Sequence, residues 1–301
     1  MDVDVCDEAV GLPAGALLLS VDFEDWHQLV RRRVGDPGWQ EPGPALERET
    51  DALLQFFDRL GERSTFFFLG MAARAHPELV RLIAGAGHEV ACHGDQHRPV
   101  RSQTPEAFRQ DLRAARATIQ ELTGVAPVGY RAPAFSMSPQ TEWAVRVLEA
   151  EGFAYDASQC ESLRRGGDAP PSSGGPYPLA DTRLWEFPVA VVRSGPVRLP
   201  VGGASYWTVT PTPVVLRGLS GLEAGAGLYI HPCEFDPQPL HAGVADGLGI
   251  GSRGRAWLRT VQRNASRRRA AHVLSAIADR FPLMTYGEAH ARLTAGVGSR
   301  P

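Results

Sequence analysis

The chain contains no lysine: all 31 basic residues among its 301 are arginine. Against 34 acidic residues they leave a net charge of −3, so no electrostatic footprint for nucleic acid stands out and no nucleic-acid partner is expected. The missing lysine reads as codon bias, and the arginine runs at 31–33 and 267–269 read as solvated faces. Cysteine is scarce. Cys6, Cys92, Cys160 and Cys233 are spread out with no CxxC spacing, and free thiols are expected. No apolar run approaches the ~18–20 residues that span a bilayer. The opening stretch has no positively charged n-region and holds four acids before Ala9, so it does not read as a secretory signal. These features place the chain, as an expectation, in the cytoplasm or at the inner membrane face. There is no internal repeat. The Gly-rich "VGGASYW" is followed by no GxxxxGK, so a phosphate cradle is not expected there.

What the sequence has is alternation. "AGALLLSVDF" is a continuous apolar run and reads as a buried strand. "DALLQFFDRLG" spaces Leu53, Leu54, Phe57 and Leu60 helically and stops at Gly61. "STFFFLG" and "HEVACHG" read as further strands around the helical "HPELVRLIAGAG". Thr104 and Pro105 open a helix with Phe108, Leu112, Ala115, Ile119 and Leu122 on one stripe, and Gly124 closes it. "VGYRAP", the helical "SPQTEWAVRVLEAEG" and "FAYDAS" continue the pattern. Residues 160–183 are rich in Gly, Pro and Ser and read as a mobile loop. "LWEFPVAVV", "VRLPVGGASYW" and "GLYIHPCEF" have strand character, and "SRRRAAHVLSAIADRF" reads as an amphipathic helix with Val273, Leu274 and Ile277 inward. Such β-α-β-α order implies a parallel sheet, open or closed, with its site at the C-terminal strand ends. One domain over residues 1–301 is expected.

Polar residues stand at those ends: Asp22 and Asp25, then His93, Arg131, Asp156 and His231. His93 and His97 lie four apart with Gly94 between them to turn the backbone. Two imidazoles and a carboxylate are a common set for a hydrolytic Zn²⁺-type ion with an open position. Asp22 falls inside the strand pattern, where an unpaired carboxylate is costly; a metal or Arg131 would offset that cost. Cys92 and Cys233 flank the histidines but read as small core residues.

In this order and spacing, "SVDFED", "HGDQH", "RAPAFS" and "YIHPCEFDP" resemble the polysaccharide deacetylase family (NodB homology, carbohydrate esterase family 4). The resemblance covers about residues 15–290. It is strongest to the variant that accompanies exopolysaccharide and exosortase loci, with D-x-E-D-W and H-P-x-E-F-D-P motifs. It implies a distorted (β/α)7 barrel. It also implies a metal-dependent hydrolase of non-peptide C–N bonds that removes N-acetyl groups from an amino-sugar oligomer, polymer or precursor. Carried over, Asp22 is the base, His231 the acid, Arg131 the residue that orients the base, and Asp156 a weaker match to the acid that orients His231. His93 and His97 are metal ligands. The third ligand is Glu24 or Asp25, because Phe23 occupies the usual position; strand alternation favours Glu24. A backbone N–H near Ala134 would meet the oxyanion, with Phe135, Trp26 and Tyr206 as candidates for the sugar groove. The cofactor implied is a divalent cation, Zn²⁺ first, with Co²⁺ or a similar ion as the alternative. Two other readings stay open: a ring-opening cyclic amidase of the allantoinase kind, and a catalytically silent sugar-binding module.

Overall fold

The stretch Leu17–Phe23 forms β1, and every residue in it is buried. A strand covered on both faces is mostly apolar, which is why "LLLSVDF" lacks the alternation of a surface strand; its two polar residues, Ser20 and Asp22, are both paired with Arg131. Its two faces meet different things. Leu17, Leu19, Val21 and Phe23 join the large apolar layer beneath the helices. Leu18 joins a second cluster with Phe67, Ala91, Tyr155, Phe187 and Tyr286, the filling of a barrel. The computed structural model describes residues 11–161, 175–194 and 197–295. Most of the Gly/Pro/Ser-rich loop expected at 160–183, and Cys6, lie outside them.

From β1 the chain runs through α1 (Trp26–Arg33) and α2 (Leu46–Leu60) to β2 (Thr65–Phe68). Then follow α3 (Gly70–Ala75), α4 (Pro77–Gly85), β3 (Glu89–Cys92), α5 (Pro105–Thr123) and β4 (Gly129–Tyr130). After α6 (Trp143–Ala150) come β5 (Tyr155–Asp156), β6 (Tyr177–Pro178), β7 (Trp185–Glu186), and the separate hairpin of β8 (Val191–Ser194) and β9 (Val197–Pro200). The last part holds α7 (Ala204–Trp207), α8 (Thr212–Leu219), β10 (Ala226–Ile230), α9 (Ile250–Ala278), β11 (Leu283–Met284) and α10 (Tyr286–Ala295).

The strands pair in parallel in the order β10-β1-β2-β3-β4-β5-β7, with β6 antiparallel on β7. The ring closes through the extension of β7. Gly227 donates to Pro188 O at 2.8 Å, and Ala190 donates to Gly227 O at 2.9 Å. This is a distorted (β/α)7 barrel, closed on one side by a few hydrogen bonds and plugged from below by β11 and α10. Gly227 is required at the seam, since a Cβ there would lie 2.3 Å from Tyr286 Oη and 3.1 Å from Pro188 O.

Two expectations change. "VGGASYW" ends as helix α7 and not as strand. The Trp207 indole N–H donates to Val201 O at 2.7 Å, which folds the segment back on itself. The last long helix begins at Ile250, well before the stretch with apolar periodicity.

Candidate active site

Alternation along the barrel strands decides which side chains point inward. Leu18 faces the lumen, so Ser20 and Asp22 share its side, and Glu24 continues that phase just past the strand. Ala91 faces the lumen on β3, which places His93 in phase above it. On β10, Leu228 and Ile230 face the helix layer, so His231 follows Tyr229 on the other side. These residues meet at the C-terminal end of the barrel.

Glu24 is the centre. Its Oε2 lies 3.1 Å from His97 Nε2 and 3.9 Å from His93 Nε2, and its Oε1 lies 3.5 Å from His231 Nε2. One ligand atom each from Glu24, His93 and His97 falls within 4.8 Å of the others. Burial would raise the Glu24 carboxyl, but His97, His231 and His93 outweigh it and hold it well below the usual carboxylate range. His93 is held in one tautomer: its Nδ1–H donates to Arg131 O at 2.8 Å, so Nε2 faces Glu24. Burial pushes the His93 imidazole down to about 4, which keeps it neutral and able to bind a cation. His97 returns to His93 through Gly94 at φ 77° and its own φ of 51°. The ring centroids come to 5.5 Å. Gly94 cannot be replaced cheaply, because a Cβ would stand 2.8 Å from Asp111 Oδ2, which accepts from Asp95 N at 2.7 Å to pin the turn.

Asp25 goes elsewhere. It caps α1 by accepting from His27 N (2.8 Å) and Gln28 N (3.3 Å), and it takes Gly43 N as well. Of the two acids left open in the sequence, Glu24 stands among the histidines and Asp25 is a helix cap.

Asp22 is paired with Arg131, whose Nη1 donates to Asp22 Oδ1 at 2.7 Å and to Ser20 Oγ at 2.6 Å. Arg131 is fully buried. Its Nε donates to Ala157 O and its Nη2 to Tyr286 Oη, and its guanidinium lies 4.1 Å over the Phe67 ring. Removing either partner of such a pair strands the other charge, at a cost of about 3–5 kcal/mol.

The carboxylate beside His231 is Glu234, not Asp156. Glu234 Oε1 lies 3.5 Å from His231 Nδ1, and Oε2 accepts from His231 N at 3.0 Å. Arg263 on α9 donates to Glu234 Oε1 at 2.6 Å. Burial alone would lower His231; Glu234 and Glu24 outweigh it, and the imidazole is raised. Asp156 is out of phase because Tyr155 and Ala157 take the lumen positions. It accepts from Ser158 Oγ and shares a hydrogen bond with Glu186; burial raises both carboxyls. Ser158 Oγ in turn accepts from Ala132 N at 2.7 Å, so Asp156 supports the loop that follows Arg131.

That loop carries Ala134 (φ 55°) and Phe135 (φ 49°) in the left-handed region. Ala134 is exposed, and the Phe135 ring stands edge-on to Tyr229 at 4.7 Å. Tyr206, on α7, is half-buried. Trp26 does not offer a sugar-stacking face: it is 5 % exposed and packs with Val30, Val34 and Cys233 in the core. Cys92 and Cys233 are both buried, and burial pushes the Cys92 thiol up to about 12.

Residues 36–153 match the family model described as polysaccharide deacetylase. That segment of the chain belongs to the polysaccharide deacetylase family. Residues 164–287 match a second model, described as a domain of unknown function, DUF3473. Among curated relatives, the peptidoglycan deacetylase of Helicobacter pylori is 34% identical over 106 residues, 35% of this chain and 35% of that protein. A peptidoglycan deacetylase-like protein of Gibberella zeae is 33% identical over 108 residues, 35% of this chain and 31% of the other. The matched stretch is thus about a third of the length of these relatives. A protein from Mycobacterium smegmatis assigned as a polysaccharide deacetylase has the same fold, with TM-score 0.60 at 20% identity, covering 96% of this chain and 95% of that one. A carbohydrate esterase family 4 pseudoenzyme from Bacillus anthracis shares it at TM-score 0.50 and 10% identity, covering 91% of this chain and 65% of that one. No helix among the described residues is long and apolar enough to cross a membrane.

Proposed function

We propose that the chain is a metal-dependent deacetylase that hydrolyses N-acetyl groups on an amino-sugar polymer or its precursor. The observation that carries this reading is the meeting of Glu24, His93 and His97 within 4.8 Å, with His231 Nε2 3.5 Å from the same carboxylate. The donor set fits a divalent cation. Two neutral imidazole nitrogens and one ionised carboxylate suit Zn²⁺, and Co²⁺ would serve similarly. The hydrogen bond from His93 to Arg131 O is the outer support such ligands use. When bound, the ion would polarise the acetyl carbonyl and lower the pKa of a water to about 7.

The chain's own groups supply the rest. Asp22 accepts the proton of the attacking water, with Arg131 fixing its carboxylate. His231 is held by Glu234 and gives a proton to the departing sugar amine. The Ala134 backbone N–H is the proposed partner of the oxyanion. Phe135 and Tyr206 would line the groove. Each acid or base step contributes about 10²–10⁴-fold, so Asp22→Asn and His231→Ala should each lower turnover by about that factor. His93→Ala should remove the metal. The test is metal analysis of the purified protein together with acetate release from N-acetylglucosamine oligomers. Acetate release that requires metal, Asp22 and His231 supports the reading. A metal-loaded protein that releases no acetate but opens a cyclic imide, or that binds oligomers without turnover, would overturn it.

A further inference from the structure

Helix α9 carries seven arginines and no acidic residue over Ile250–Ala278, in a chain whose net charge is −3. Its inner face is tied down. Ala256 packs in the core, Asn264 exchanges hydrogen bonds with the backbone of Leu240, Arg263 holds Glu234, and Arg267 donates to Asp236 O. Its outer face is apolar. Ile250 is 92% exposed, Trp257 67%, Leu258 49% and Val261 45%. At 100° per residue these four fall on one stripe, with Gly254 between them. Arg253 borders the stripe on one side and Arg255 on the other, both exposed.

We infer that this face docks the protein on an anionic lipid surface. An apolar stripe with tryptophan, flanked by arginine and free of acid, is the pattern of a helix lying in a membrane interface. The arginines favour anionic headgroups by charge. Other occupants fit worse. A second copy of the chain, stripe against stripe, would bring arginine against arginine with no acid on α9 to pair them. A nucleic acid would satisfy the arginines but leave Ile250, Leu258 and Val261 in water. An exposure of 92% means that Ile250 stands proud of the surface, which suits insertion between headgroups. Further along, the helix borders a cleft of about 780 Å³ walled by Arg217, Arg269, His272 and Arg280 together with Pro211, Pro213 and Leu216.

Val261 is two residues from Arg263, which reaches Glu234 beside His231. Arg263 lies on the opposite, inward face of the helix, so the stripe and the barrel mouth are on different sides of α9. The inference stands apart from the deacetylase reading, and its test is separable. The full chain is floated with phosphatidylcholine vesicles containing phosphatidylglycerol, and with phosphatidylcholine alone. Binding is expected to the anionic vesicles only, and to fall in high salt. Trp257→Ser with Leu258→Ser should weaken it by roughly ten-fold or more. Arg253→Ser should weaken it by about five-fold, the equivalent of about 1 kcal/mol. Acetate release from a short soluble oligomer, if present in the parent, should be unchanged in both variants. The inference is overturned if the parent does not float with anionic vesicles, or if the Trp257/Leu258 variant floats equally well. It is also overturned if light scattering shows a dimer that the same variant converts to monomer.

Discussion

At the scale of single residues, the adjacent acids Glu24 and Asp25 have separate tasks. Asp25 satisfies the first N–H groups of α1 and ties down Gly43, while Glu24 faces three imidazoles. The proposed metal site therefore predicts opposite outcomes for two neighbouring substitutions. Asp25→Ala should cost about 1–2 kcal/mol of stability through the lost cap and leave metal content unchanged. Glu24→Ala should keep most of the stability and lose the metal. Denaturant titration and metal analysis on the two variants check both halves. A similar division holds for Asp156 and Glu234. The family resemblance matches Asp156, more weakly than the other residues, to the acid that orients His231. The pleat decides otherwise, and the nearer acid is three residues downstream in "HPCEF".

At the scale of elements, the seam between β10 and the extension of β7 is a narrow join in the barrel. Gly227→Ala would press a methyl against Tyr286 Oη, which is already held by Arg131. Overpacking of this kind costs about 1–3 kcal/mol, and a lowered urea midpoint with an unchanged slope would show it. The strands that carry Asp22, His93 and His231 were legible in the sequence because a barrel strand buries both faces and reads as one apolar run. The helix stripe of α5 was legible for the complementary reason: Phe108, Leu112, Ala115 and Ile119 are all buried. The first half of α9 was not legible. Its inward positions are Ala256, Arg263, Asn264 and Arg267, so its buried face is largely polar, and its apolar residues face out. The helical end of "VGGASYW" escaped because aromatic and β-branched composition favours a strand, and the fold overrides it. Gly203 lies so close to the Tyr229 ring that a Cβ would stand 2.5 Å from it.

At the scale of the whole molecule, buried titratable groups make stability depend on pH. His88 is buried between Phe57 and Phe66, and its Nδ1 accepts from Ser64 N at 3.2 Å. Burial and Arg63 push it down to about 4, against 6.5 for the free side chain. Between those values the unfolded chain holds a proton that the folded chain does not, so stability falls as pH drops from about 6.5 to about 4, by up to about 3 kcal/mol. In His88→Asn, which can keep the acceptor, that part of the pH slope should vanish; an identical slope in the two proteins would refute it. The pairing of β1 with β10 has a consequence of another kind. Leu17 hydrogen-bonds in register with Ala226, about 200 residues later in synthesis. Until that partner leaves the ribosome, the first strand keeps a bare apolar edge, and closing so large a loop is slow. A nascent chain halted near residue 160 should thus be bound by chaperones or aggregate, and the cell must shelter the first half of this protein until its last third has been made.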